Sequence, residues 1–435
     1  VTASGQDGGA GHGPGQQRRA GAERPQAPRG TYDVLPDEAG ARASLEDVAR
    51  RILEPAGYGR IETPTFEATE LFARGVGEST DIVQKEMYSF HDAGGRSLTL
   101  RPEGTAPVCR AYLEHGMRTL AQPVKLWYLG SYYRQEKPQK GRFRQFWQLG
   151  AEVIGSDDPA VDAETIALLH TLLGELEVRG LRLRLGSLGS LDARAEYRER
   201  LTAYLREHAD RLSGDVRDRI DLNPLRAFDA KDPGTQAVMR AAPLLLDSLS
   251  AEDREHFDEV CARLRAAGID WELDGTLVRG IDYYTRTIFE FTSDALGAQS
   301  GVAGGGRYDG LIELLGGPAT PGMGWAAGLE RMRLAAGERP VPRPVTDLFV
   351  AHEDRGVEAF ALAAEARAAG LAVQQELGGR SLKGQLKQAD RAGARYVAIV
   401  GADGTQLRDM DSGEQEAVDS AAAAVARVIK GRHAG

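Results

Sequence analysis

Cysteine is nearly absent: Cys109 and Cys261 are the only two in 435 residues, far apart and without a CxxC spacing. That argues against a disulfide framework and against a cysteine zinc site, and a reducing cytoplasm fits. No charge-free apolar run reaches membrane-spanning length, so no segment is expected to cross a bilayer. The opening residues, 1–28, are rich in Gly, Gln and Arg and lack the apolar centre of a secretory signal; they read as a flexible tail. Positive charge is not in excess either, since 54 Lys and Arg stand against 64 Asp and Glu for a formal net charge of -10. Any nucleic-acid partner must therefore be met by local basic patches rather than by the overall field.

What is present is length, enough for two or three domains with separate cores. Leu45, Val48, Ala49, Ile52, Leu53 and Ala56 fall at steps of three and four, which predicts a helix over 37–56 with Gly57 as its stop. The next segment, Arg60 to Pro64, reads as a short strand that proline confines to an edge or an end. Hydrophobic runs between Leu98 and Gly155, including Val124 to Leu129 and Phe146 to Ile154, read as antiparallel strands around a basic turn. Asp158-Pro159 starts a helix reaching Leu176, and Leu181, Leu183 and Leu185 alternate with Arg182 and Arg184 as in a half-buried strand. Charged, Leu-rich helices broken at Asn223-Pro224 and Asp232-Pro233 mark 190–267 as a helical insertion. Strand signals return at Trp271 to Leu277 and Thr287 to Thr292, then a Gly-rich stretch, Gly301 to Gly310, and a helix beginning near Ala326. Three prolines make 339–345 a linker. Beyond it, strands at Asp347 to Ala351, Ala372 to Gln375 and Tyr396 to Val400 alternate with Ala-rich helices, the order of a small α/β domain over 346–435.

The densest chemistry lies between Tyr133 and Gln148, where Arg134, Lys137, Lys140, Arg142 and Arg144 face a single acid, Glu136. Such a turn can hold a polyanion, or it can be a solvated basic hairpin. Gln148 and Glu152 follow at even spacing on an apolar strand, so both point to one face, where an amide and a carboxylate need partners. Leu100-Arg101-Pro102-Glu103-Gly104-Thr105 offers a carboxylate and a hydroxyl two residues apart, and Leu277 to Thr287 sets Arg279 beside Gly280 and the paired Tyr283 and Tyr284. Gly301 to Gly310 is not a P-loop, because the Gly-Lys-Ser/Thr ending is missing. Gly322, Gly324 and Gly328 miss the dinucleotide fingerprint by one residue. In the last domain Lys383, Lys387 and Arg391 recur every four residues while Leu382, Leu386 and Ala389 share another face, so one helix can bury one side and offer cations on the other.

These segments together resemble the class II aminoacyl-tRNA synthetases, and the runs Leu277 to Thr287 and Gly301 to Gly310 resemble motifs peculiar to the histidyl-tRNA synthetase family. The resemblance extends from about Gly30 to the end of the chain. It implies an α+β fold: a class II antiparallel sheet with flanking helices over 29–338, the helical insertion, and a C-terminal α/β anticodon-binding domain. Arg134 to Gln148 is similar to the second class II signature, in which Arg134 would contact the ATP α-phosphate, Phe146 would stack on adenine, Arg142 would add charge, and the tip around Gln139 would approach the tRNA acceptor end. Gly322 to Arg331 is similar to the third signature, with Arg331 over adenine; Pro64 is similar to the first, which builds a homodimer.

The same resemblance assigns Glu103 and Thr105 to the substrate ammonium, and Gln148, Glu152, Tyr283, Tyr284 and Tyr308 to the histidine pocket. Arg279 becomes the fixed cation between carboxylate and α-phosphate, and Lys383, Lys387 and Arg391 become tRNA contacts. The implied reaction joins histidine to ATP, accompanied by Mg²⁺, and then moves histidine to the 3′ end of its tRNA with release of AMP; no protein metal site is expected. Two departures flank the pocket, Trp147 where a smaller polar ring is expected and Ala151 where cysteine is frequent, and Gly401 to Asp409 is shorter than the family's equivalent. The competing readings are a noncatalytic synthetase-like regulator that senses histidine and, more distantly, a nucleotide-dependent dehydrogenase.

Overall fold

Leu45, Ala49 and Leu53 form the buried face of a helix, Pro36–Leu53, in the computed structural model, which describes residues 24–77, 80–277, 283–297, 300–337 and 345–432. The tail before residue 24 and most of the proline linker lie outside the described residues. The chain divides into two compact units, Val1–Arg339 and Pro340–Gly435.

Among the described residues, the first unit is built on eleven strands: β1 (Gly59–Arg60), β2 (Phe66–Ala68), β3 (Tyr88–His91), β4 (Ser97–Leu100), β5 (Val124–Tyr133), β6 (Gln145–Ile154), β7 (Leu181–Ser187), β8 (Glu272–Leu273), β9 (Thr285–Ser293), β10 (Gly301–Arg307) and β11 (Gly322–Gly328). Eight form one sheet in the order β1-β5-β6-β11-β10-β9-β7-β8, antiparallel except where its edge strands β1 and β8 join. The others make a small antiparallel sheet, β2-β4-β3. Because side chains alternate along a strand, the large sheet has two different faces. Trp127, Leu129, Leu149, Ala151 and Val153 pack with Leu45, Ala49 and Leu53 and with the helices Pro159–Glu175 and Ala251–Ala266. Tyr128, Tyr132 and Ile154 point the other way, into a cluster with Val108, Cys109 and Tyr112 of the helix Thr105–Glu114 and with Tyr308.

Several local signals produce the expected elements. Asp158 accepts a hydrogen bond from the Ala160 backbone N–H and Pro159 occupies the first turn of its helix. Other expectations need correction. The strand expected at Arg60 to Pro64 ends at Arg60, because Pro64 has no N–H to pair and the Thr63 carbonyl is taken by the Arg101 guanidinium at 2.7 Å. The glycine-rich stretch contains a paired strand, β10, and the helix expected near Ala326 begins only at Leu329, because Gly322 to Gly328 pair with β6 on one side and β10 on the other. Within the stretch expected to be an insertion, Tyr197, Leu201, Leu205 and Leu245 form a separate core, whereas Phe257, Val260 and Leu264 of the helix Ala251–Ala266 belong to the main core.

The second unit carries β12 (Thr346–His352), β13 (Val373–Gln375), β14 (Ala394–Gly401), β15 (Gly404–Asp409) and β16 (Gln415–Val418). The order is β13-β12-β14-β15-β16, with the first three parallel and the last two antiparallel. The helices Gly356–Ala368 and Ala421–Arg432 contribute to one apolar cluster, and Leu382–Arg391 to a second with Phe349 and Val397. No described helix is long and apolar enough to cross a membrane.

Candidate active site

Glu152 sits in the middle of β6, on the face opposite the purely apolar core, and is fully buried. Three hydroxyls donate to its carboxylate: Thr105 at 2.7 Å and Tyr128 at 3.2 Å to Oε1, and Tyr308 at 2.7 Å to Oε2. Burial is the largest influence and pushes this carboxyl up to about 8, against the pull of the Tyr308 and Thr105 hydroxyls. Space for the cluster comes from glycine. A Cβ on Gly324, paired with Glu152 across the strands, would lie 1.8 Å from Glu152 Oε2. Beside the cluster, Glu103 accepts the backbone N–H groups of Thr105 at 2.7 Å and Ala106 at 3.0 Å, at the start of the helix Thr105–Glu114, and the Tyr283 hydroxyl at 3.4 Å. Burial also raises the Glu103 carboxyl. The Tyr283 ring lies 5.8 Å from that of Tyr308 and 5.0 Å from that of Tyr284.

Glu103, Thr105, Glu152, Tyr283 and Tyr308 thus meet in one hydrogen-bonded group, although they come from positions as far apart as 103 and 308. In this state the Thr105 hydroxyl is turned to Glu152. Gln148 shares the face, and its Oε1 is buried with no hydrogen-bond partner among the described residues. Sequence reasoning missed Tyr128 and Cys109. The face that Tyr128 occupies was findable, because it alternates with Trp127 on β5, but the role of its hydroxyl was not; the Cys109 thiol, raised far above its ordinary range by burial, had no comparable signal. Both departures become intelligible. Trp147 and Ala151 occupy odd positions on β6, on the face away from Glu152, and each packs with the main core.

The basic turn lies at the open end of β5 and β6. Arg134 donates through Nε to the Pro102 carbonyl at 2.8 Å, and its guanidinium lies 5.3 Å from the Phe146 ring. Glu136 stands between two arginines, 4.0 Å from Arg134 and 3.2 Å from Arg142. Gln139 and Arg142 exchange backbone hydrogen bonds at the tip. Arg331 donates to the Gly301 carbonyl at 2.5 Å and approaches the tip at Gly141; burial and the nearby Arg142 lower its affinity for a proton. Arg134, Arg142, Phe146 and Arg331 therefore converge on one end of the sheet. Such convergence suits a phosphate-bearing ring compound.

Below the pocket, the wholly buried Arg307 pairs with Asp162 at 2.8 Å and also donates to the Ser156 carbonyl, fixing the end of β10 just before Tyr308. Removing one partner of such a pair costs about 3–5 kcal/mol by leaving a buried charge uncompensated. Arg279 lies outside the described residues. In the second unit, Lys383, Lys387 and Arg391 are exposed on the helix whose Ala389 is fully buried and whose Leu382 and Leu386 pack inward. Among the described residues no group of three or more His, Cys, Asp or Glu side chains is arranged to hold a metal ion.

Comparison with known proteins bears on the family and the fold. Residues 30–332 match the family model for histidyl-tRNA synthetase, and residues 349–430 match that for an anticodon binding domain. A histidine–tRNA ligase of Desulforamulus reducens is 47% identical over 401 residues, covering 90% of this chain and 96% of that protein. The apo crystal structure of the S. aureus histidyl-tRNA synthetase superposes with a TM-score of 0.77 at 34% identity, covering 93% of this chain and all of that one. The fold is shared more distantly, at 24% identity and a TM-score of 0.63, with a Bacillus halodurans protein described as an ATP phosphoribosyltransferase regulatory subunit/histidyl-tRNA synthetase, over 87% of this chain and 98% of that one. By the extent of these matches and the motifs behind them, the chain belongs to the histidyl-tRNA synthetase family.

Proposed function

We propose that this chain is a histidine–tRNA ligase, which activates histidine with ATP and transfers it to the 3′ end of its tRNA. The observation that carries the reading is the juxtaposition, on one face of the large sheet, of a closed carboxylate and hydroxyl cluster with a loop bearing Arg134 and Arg142. Glu152 takes an imidazole N–H, with Tyr308 and Thr105 holding the carboxylate in place. Glu103 and Thr105 receive the ammonium group, and Gln148, Tyr283 and Tyr284 complete the histidine pocket. Arg134, Arg142, Phe146 and Arg331 grip ATP, whose β- and γ-phosphates carry Mg²⁺. Arg279 offsets the charge that develops as the histidine carboxylate attacks the α-phosphorus. The leaving pyrophosphate departs in line, and no covalent enzyme intermediate is required.

Gln139 at the loop tip approaches the tRNA acceptor end, and Lys383, Lys387 and Arg391 contact phosphates near the anticodon. The protein works as a homodimer in the cytoplasm. An exposed edge-to-face pair on the small sheet, Phe66 and Phe90 with ring centroids 6.1 Å apart, supports a second copy as its cover. A noncatalytic regulator would need histidine but not the full set of nucleotide-gripping arginines. The deciding experiment is ATP–pyrophosphate exchange against a panel of amino acids. Exchange with histidine alone is expected; binding of histidine without exchange would transfer the chain to the regulator class.

A further inference from the structure

The segment ahead of the helix Pro36–Leu53 is seated directly on the basic loop. The Arg144 N–H donates to the Gly30 carbonyl at 2.7 Å, while the Arg144 carbonyl accepts the Arg134 N–H at 2.9 Å, so the two sides of one residue are held by different parts of the chain. Gly30 has a φ of +88°, and a Cβ there would come within 2.9 Å of both Arg144 and Pro138. Two residues on, the Tyr32 ring packs against Phe143, again in the loop, with centroids 4.6 Å apart and planes tilted by 51°. Its hydroxyl donates to Glu330 Oε1 at 2.6 Å and accepts from the Arg42 guanidinium at 2.6 Å. Glu330 also accepts the Trp147 backbone N–H, at 3.0 and 3.2 Å, and lies 3.6 Å from Arg42, which packs 4.6 Å above the Trp147 ring. Arg42 and Glu330 each keep only 9% of their side chains exposed.

One nearly buried carboxylate therefore gathers three separate parts of the chain: the opening segment, the start of β6 and the first turn of the helix Leu329–Ala336. Phe146 precedes Trp147 and Arg331 follows Glu330, so the groups flanking this junction are the two assigned to adenine. An ordinary packing contact would not need a charged group here, since desolvating an arginine and a carboxylate is costly unless their geometry is fixed.

We propose that Gly30, Tyr32 and Arg42 form a strap that positions the ATP-gripping groups, with the Tyr32 hydroxyl tying Phe146 and Arg331 into one rigid unit through Glu330. Tyr32 and Arg42 are positioning residues, because they act on the nucleotide through Glu330. The proposal rests on the assignment of this end of the sheet to ATP. Its test uses the full chain and two readouts, ATP affinity by titration calorimetry and histidine-dependent pyrophosphate exchange. Tyr32→Phe keeps the ring on Phe143 and removes two hydrogen bonds to charged groups, one to Glu330 and one from Arg42, so ATP affinity is expected to fall at least about tenfold. Histidine affinity is expected to stay at its wild-type value, with only a small fall in thermal midpoint from the two lost hydrogen bonds. Gly30→Ala, which intrudes on Arg144 without touching Glu330, is expected to shift ATP affinity in the same direction. Unchanged ATP affinity in both variants overturns the strap, as does a parallel loss of ATP and histidine binding with a lowered midpoint, the mark of simple destabilisation. A wild-type protein that binds ATP but shows no exchange overturns the ligase assignment and leaves the calorimetric test of the strap standing.

Discussion

Glu152 is held by three hydroxyl donors, yet burial outweighs them and leaves its carboxyl at about 8. An acid raised in the folded state binds an extra proton there between its ordinary value of 4.5 and about 8, so wild-type stability falls as pH rises through that window. Glu152→Gln removes this dependence. In the absence of histidine, the variant's thermal midpoint relative to wild type is expected to rise between pH 5 and pH 9; a constant difference would refute the shift. At pH 9, where the wild-type carboxyl is ionised, histidine affinity of the same variant is expected to drop at least about tenfold, since an amide accepts an imidazole N–H without the charge that strengthens it. Its ATP affinity is expected to hold. The position of Glu152 was legible in the sequence because even spacing from Gln148 on an apolar strand put both on one face. The hydroxyl of Tyr128 was not, since a tyrosine in a hydrophobic strand reads as core until the partner of its oxygen is known.

At the scale of elements, glycine separates what the sequence revealed from what it concealed. Asp158-Pro159 announces its helix because the cap is local chemistry, carried by residues next to each other. By contrast, β10 and β11 are strands only because each is paired on both sides. Glycine weakens a strand by itself, and here the missing side chains make room for neighbours. At Gly305 a Cβ would lie 2.0 Å from the Gly324 carbonyl oxygen. Strands β15 and β16 escaped notice for a related reason, as their polar side chains, with only Leu407 buried among them, give no alternating apolar signal. Gly324→Ala tests the element directly, because the added methyl must displace Glu152 or push β6 from β11. Overpacking of this kind costs about 1–3 kcal/mol. The variant is expected to lose histidine-dependent exchange even at temperatures where circular dichroism shows it folded; wild-type histidine affinity would show that the pocket tolerates the methyl.

The two units have separate apolar clusters, and every residue assigned to histidine or ATP precedes the division at Arg339. A chain ending at Gly337 is therefore expected to keep histidine-dependent pyrophosphate exchange while charging tRNA poorly, with the defect in tRNA affinity. Full-length affinity in that truncated chain, measured at equal salt and with its oligomeric state checked, would remove the anticodon assignment. Neutralising Lys383, Lys387 and Arg391 within the full chain should flatten the salt dependence of tRNA binding in proportion to the number of phosphates these cations neutralise. The order of elements in this unit was readable from its alternating strands and helices, but nothing in a single sequence says what sits on an exposed basic stripe. The two-faced sheet of the first unit has a further consequence for how the chain tolerates change. Along the middle of β6, Leu149, Ala151 and Val153 answer to the apolar interior, whereas Gln148, Gly150 and Glu152 answer to the pocket. The parity of a position therefore decides the phenotype of its substitution: odd positions drift among hydrophobic shapes at the expense of melting temperature, and changes at Gln148 or Glu152 alter substrate choice while the protein remains folded.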